Sequence, residues 1–208
     1  MMVGYRKYFT RALGNYYPNR VRELEAQTEK HFETIAKDIS FAANSRNPID
    51  RRLEFCGYFL ALIKSLDAAG EGFLMIRKVC LEVVTEYVRP KNKIEAFARR
   101  LLPILLNTWL AKPILGNLQK RVSQRDSPDG FMANILTDKE QTLGFGYGID
   151  ILECGICKLF TKHNFSKYIS ILCEVDEITS SLAGLKLIRT GTIATGSKKC
   201  DFRFIKNN

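Results

Sequence analysis

Two histidines and one tryptophan are all that this 208-residue chain carries of those types, and the shortage of histidine removes much of the usual catalytic repertoire. His163 is the histidine of the C-terminal half, in the loop-like stretch Lys162-His163-Asn164, and reads as exposed. A Ser-His-Asp or Cys-His arrangement therefore has little material to draw on. Long apolar runs are also missing. The longest, Leu101–Leu115, is interrupted by Pro103, Lys112 and Pro113 and falls short of the ~20 residues that span a bilayer. It reads as a buried core helix or an interfacial segment. Met1–Leu13 lacks the apolar core of a secretory signal. The glycines of Gly144–Gly148 match neither nucleotide-binding fingerprint. Neither an internal repeat nor a low-complexity tract is evident.

Acidic residues are in deficit, 22 against 32 lysines and arginines, which leaves a net charge of +10. The excess sits in short clusters such as Arg6-Lys7, Arg51-Arg52, Lys91/Lys93, Arg99-Arg100 and Lys120-Arg121-Arg125. A solvated basic surface that steers anions accounts for them, and peripheral membrane contact stays open. Without a recognition motif or a basic tail, no nucleic-acid partner is expected. Six cysteines and no export signal point to a reducing, cytoplasmic setting with free thiols.

Apolar spacing predicts helices over Val21–Ala43, Pro48–Ala68 with Asn47 as its cap, Phe73–Val88, and Ile94–Leu118 broken at its prolines. From Ser123 onward the character changes. Strands are predicted over Phe131–Thr137, over Thr142–Ile151, and over Leu185–Ala194 paired with Cys200–Ile205. Between them, Cys154–Phe160 and Lys167–Leu182 read as helices. The expected class is α+β, with a helical unit (1–122) packed on a mixed unit (123–208) of antiparallel sheet and two helices. The two units together make one compact domain or two.

Four cysteines fall late in the chain. Cys154 and Cys157 have the CxxC spacing of zinc ligands, and Cys173 and Cys200 would complete a four-thiolate set. Against this, the latter two are far apart in sequence and the CxxC opens a helix. A thioredoxin-like dithiol lacks its usual flanking residues. Cys56 and Cys80, and in one reading Cys157, are simply small buried hydrophobes. Cys173 and Asp176 share a helix face and could bind a polar ligand or activate water. Cys200 and Asp201 are neighbours on a strand, so one of the two faces any given pocket.

These pieces follow one another as Gly144–Tyr147, Cys154 opening a helix, Cys173-Glu-Val-Asp176, Arg189-Thr190-Gly-Thr192, Gly196 and Cys200-Asp201-Phe202-Arg203, over about residues 144–204. That order resembles the L-2-amino-thiazoline-4-carboxylate hydrolase family. The resemblance implies opening of a cyclic amidine to a carbamoyl-cysteine, on a bacterial route to L-cysteine. Catalysis would fall to Cys173, Asp176 and Cys200, either by thiol attack or by an Asp176-activated water. Arg189 would hold the substrate carboxylate; Thr190, Thr192, Cys154 and Asp201 would contact substrate. The rival for Arg189 is a salt bridge across the hairpin. No cofactor is expected, with zinc possible on the four cysteines; the partner is a small anionic substrate, and a homo-oligomer is compatible. The end of the chain is also similar to 4-vinyl reductase domains, whose alternative is a ligand-binding sensor. An enzyme requires a pocket lined by Cys173, Asp176 and Cys200 with one thiol shifted toward thiolate. A sensor calls for a larger apolar pocket, and zinc for four converging sulfurs.

Overall fold

The computed structural model describes residues 3–106, 108 and 111–206. Helices α1 (Arg6–Tyr16), α2 (Val21–Asp38), α3 (Arg52–Ala68), α4 (Phe73–Val88), α5 (Lys93–Leu106) and α6 (Lys112–Val122) come first. Strands β1 (Met132–Leu136) and β2 (Gly148–Glu153) follow, then α7 (Gly155–Lys162), α8 (Ile169–Leu182), β3 (Leu185–Ile188) and β4 (Cys200–Lys206). The four strands form an antiparallel sheet of order β1-β2-β4-β3. This is the α+β architecture expected from the sequence.

Helix α3 is apolar on every side, and Leu53 and the run Cys56–Ile63 are buried. A helix of that kind must be surrounded. α2 and α4 flank it within the helical part, and α7 packs on it from the mixed part. α8 lies between α4 and β3. One buried cluster therefore runs from Phe9, Phe59 and Val83 to Phe160, Ile171 and Cys200. Around Phe9 the rings of Tyr5, Phe55, Tyr58 and Phe59 meet edge to face, with centroids 4.7–6.1 Å apart.

Polar groups tie the turn before α3 to the start of the sheet. Asp50 is fully buried and accepts hydrogen bonds from the Phe131 amide at 2.7 Å and the Ser45 hydroxyl at 2.6 Å. Asn47 donates from Nδ2 to the Phe131 carbonyl at 2.9 Å. Gly130 is required beside them, because a Cβ there would stand 2.9 Å from Asp50 Oδ1.

Several element ends differ from the sequence reading, each for a local reason. Pro48–Arg51 is a turn and α3 opens at Arg52, because Asn47 spends its side chain on the Ile49 amide and on Phe131 rather than on a helix cap. The chain before β2 is a turn, with positive φ at Leu143 and Gly144 and the Thr142 hydroxyl bonded to backbone carbonyls at Asp138 and Phe145. β3 stops at Ile188, six residues before the expected end, because Asp201 captures the Thr190 and Gly191 amides that would otherwise continue the ladder. His163 is not exposed: its side chain is 10% accessible, with Nε2 3.0 Å from Asp38 Oδ2. Of the expected Ile94–Leu118 helix, α5 and α6 account for most, and residues 107, 109 and 110 lie outside the described residues.

Asp50→Ala should lower the unfolding free energy by about 1–3 kcal/mol, because it leaves the buried Phe131 amide without a partner. Urea denaturation of the purified chain checks this; an unchanged midpoint would remove Asp50 from its anchoring role.

Candidate active site

A cavity of about 410 Å³ opens between the sheet and the helices. Strand alternation decides which residues reach it. Ile149 and Ile151 of β2 and Cys200, Phe202 and Phe204 of β4 line it, while Asp150, Asp201 and Arg203 do not. Asp150 instead pairs with Lys199 at 2.5 Å and Arg203 at 2.9 Å. From α8 come Leu172, Cys173, Asp176, Thr179 and Ser180, one face of the helix at steps of three and four. Cys154 and Cys157 come from the start of α7, Arg189 from the end of β3, and Arg52 and Ile49 from the helical part.

Charge in the cavity centres on Asp176. Arg52 Nη2 lies 3.1 Å from its Oδ1, and Arg189 Nη1 lies 3.6 Å from its Oδ2. The Asp176 charge raises the Arg52 pKa further, so this guanidinium stays charged. Arg189 also donates from Nη2 to the Cys173 carbonyl at 3.3 Å, reaches the exposed Glu177 at 3.5 Å, and lies over the Phe202 ring at 5.4 Å. Its partners are on α8, so it is not the cross-hairpin salt bridge of the rival reading. Its Nη1 is buried and makes no hydrogen bond. One carboxylate thus faces two guanidiniums, and Arg189 Nη1 has Asp176 as ion-pair neighbour but no hydrogen bond.

The thiols are not equivalent. Cys154 is the N-cap of α7, in extended conformation, at the positive end of that helix but with no hydrogen bond between its side chain and the cap amides. Its pKa is lowered by a hydrogen bond from the Cys157 thiol and by the Ile156 and Cys157 amides, which together outweigh desolvation. Donating that bond pushes Cys157 strongly upward. Burial raises Cys173 to about 12, with the Asp176 charge adding to it. Burial also raises Cys200, whose sulfur accepts the Ile193 amide at 3.2 Å. The thiol shifted toward thiolate is therefore Cys154. Cys56 and Cys80 are buried in the core, as small hydrophobes would be.

Of the residues singled out in the sequence, Cys154, Cys157, Cys173, Asp176, Arg189 and Cys200 meet in this cavity. Thr190, Thr192 and Asp201 do not line it. The Thr190 hydroxyl donates to Asp201 at 2.7 Å. Thr192 lies beyond the end of β3, where strand alternation no longer applies, and forms a reciprocal cap with Thr195. These three shape the loop that presents Arg189. Among the described residues, no group of three or more His, Cys, Asp or Glu could hold a metal ion. Arg52 carries no sequence signal beyond its place in a basic pair, since only the packing of α3 on α7 brings it to α8.

The cavity at the seam of a helical layer and an antiparallel sheet, lined by two arginines, a carboxylate and a thiol at a helix start, holds side chains of the kind a hydrolase uses. The family model for L-2-amino-thiazoline-4-carboxylic acid hydrolase matches residues 5–204, and the chain belongs to that family. The match covers the helical part as well as the stretch from Gly144 onward. No curated protein and no solved structure matches the chain.

Alkylation by iodoacetamide near neutral pH should modify Cys154 first, with Cys173 and Cys200 slower. Cys157→Ala removes the thiol donor, so the pH midpoint for Cys154 alkylation should rise. Peptide mass spectrometry across pH reads both; preferential labelling of Cys173 would reverse the assignment.

Proposed function

We propose that the protein hydrolyses a small cyclic amidine bearing a carboxylate, with L-2-amino-thiazoline-4-carboxylate as the type substrate, by covalent catalysis at Cys154. The observation that carries this reading is the buried Arg189 Nη1, without a hydrogen-bond partner and in the same cavity as the thiol at the start of α7. A substrate carboxylate supplies that partner, and Arg52 adds a second cation. A cavity of 410 Å³ falls within the range of roughly 300–1,000 Å³ usual for small-ligand sites.

The chemistry then runs through the carbon between nitrogen and sulfur. The Cys154 thiolate adds to this carbon of the amidinium, and the electrons of the C=N bond move to the ring nitrogen. The ring C–N bond breaks, the nitrogen leaves as an amine with a proton from Cys157, and the carbon stays bound to Cys154 as a thioimidate. Water adds to that carbon and returns one proton to Cys157. Cys154 departs as thiolate, the second water proton goes to the freed amine, and a carbamoyl-cysteine is released. Asp176 holds both arginines in position and, as a wall of the same cavity, orients the water. The free thiols fit a reducing, cytoplasmic setting.

A ligand-binding role without turnover is the second reading, favoured by the isoleucine, leucine and phenylalanine that make up much of the cavity wall. Turnover of L-2-amino-thiazoline-4-carboxylate, followed by loss of ring absorbance together with metal analysis, separates the two. Cys154→Ala should abolish turnover and Cys173→Ala should retain it. Arg189→Gln should raise KM by roughly ten- to a hundredfold, the loss of one charge-assisted contact. Ligand binding without turnover in the wild type favours the second reading, and activity in Cys154→Ala removes the thiol from the mechanism.

A further inference from the structure

Helix α5 turns a row of large apolar side chains toward solvent. Its side toward the protein carries Pro103, which is buried, whereas Ile94, Phe97, Leu101 and Leu105 are exposed, at 80%, 67%, 38% and 51%. Steps of three, four and four place these four side chains in one stripe along a helix about 21 Å long. No other element packs extensively on α5 among the described residues. A row of large apolar side chains left in water is unfavourable in proportion to the apolar surface exposed.

What covers the stripe is indicated by the charge around it. Residues 89–112 contain six lysines and arginines and one acidic residue, Glu95. Lys91, Lys93 and Lys112 are exposed at the two ends of the segment. The same segment contains Trp109, the single tryptophan of the chain. Among the described residues, no helix is long and apolar enough to cross a membrane. An apolar stripe edged by cations is the pattern of a helix lying in the headgroup plane. A second copy of this chain would set like charges against like around the same stripe, which opposes pairing.

We infer that α5 is a membrane-surface anchor that seats the protein on an anionic bilayer. Phe97, Leu101 and Leu105 enter the acyl boundary, and the flanking lysines meet lipid headgroups. Such attraction falls off over about a Debye length, so it weakens as salt rises.

The test is flotation of the full chain with unilamellar vesicles of phosphatidylcholine alone or with phosphatidylserine. Binding is expected on the anionic vesicles, weaker in high salt and much weaker on neutral ones. The double variant Phe97→Glu/Leu105→Glu should reduce the bound fraction by roughly tenfold or more, while Cys154 alkylates at the wild-type rate as a check on folding. Because these side chains are exposed, the variant should fold; if it does not, Lys91→Glu/Lys93→Glu should weaken binding in its place. Failure of the wild type to bind anionic vesicles, or equal binding by both variants, overturns the inference. So does a wild-type dimer in light scattering that the apolar variant dissolves, which would assign the stripe to a second copy. None of these outcomes depends on the hydrolase reading.

Discussion

One carboxylate holds two cations in this protein, and the site depends on that imbalance. Asp176 reaches Arg52 from the helical part and Arg189 from the end of β3, so a single side chain on α8 joins the start of α3 to the sheet. In an interior of reduced dielectric, removing one member of such a network leaves an uncompensated charge, which is why broken buried pairs are expensive. The same network leaves positive charge unspent. Glu177 does not cancel it, since its exposed carboxylate is screened by water and 3.5 Å from Arg189. The proposed anionic substrate would therefore meet a cavity already positive before it arrives.

Burial sorts the cysteines around that charge. All six are free thiols, yet what surrounds each sulfur differs. Those of Cys56 and Cys80 see core side chains, and burial pushes their pKa values up. Cys173 sits in the middle of α8, where backbone amides are already used, and beside a carboxylate. Cys154 alone among the cavity cysteines is a helix N-cap, where the positive end of α7 and the neighbouring Cys157 thiol lower its pKa. The position in the helix, more than the residue type, decides which sulfur is the nucleophile in the proposed mechanism.

Much of the architecture was legible because hydrophobic periodicity is a local signal. α4 runs over Phe73–Val88 as its spacing predicts, and the change of character after Ser123 marks the passage to the sheet. The misread ends share a cause: a polar side chain took backbone groups that a regular element would have used. Asn47 did so before α3, Thr142 before β2, and Asp201 beyond β3. In the site, Cys173, Asp176, Arg189 and Cys200 were visible as pieces of a family pattern. The distinction between Cys200 and Asp201 was visible only as an alternation, and the register of β4 on β2 decides it. Arg52 and the rank order of the thiols depend on packing across the seam between helices and sheet, which no window of sequence contains.

The two arginines also stand at different depths. The Arg52 side chain is half-exposed at 51%, and that of Arg189 is at 11%. Mobile ions screen the outer charge far more than the inner one. In the proposed reaction an incoming acid therefore meets first a cation whose reach changes with ionic strength, and then one whose grip does not. Capture and retention are separated along the path, and salt acts on the arrival of the guest far more than on how tightly it is held.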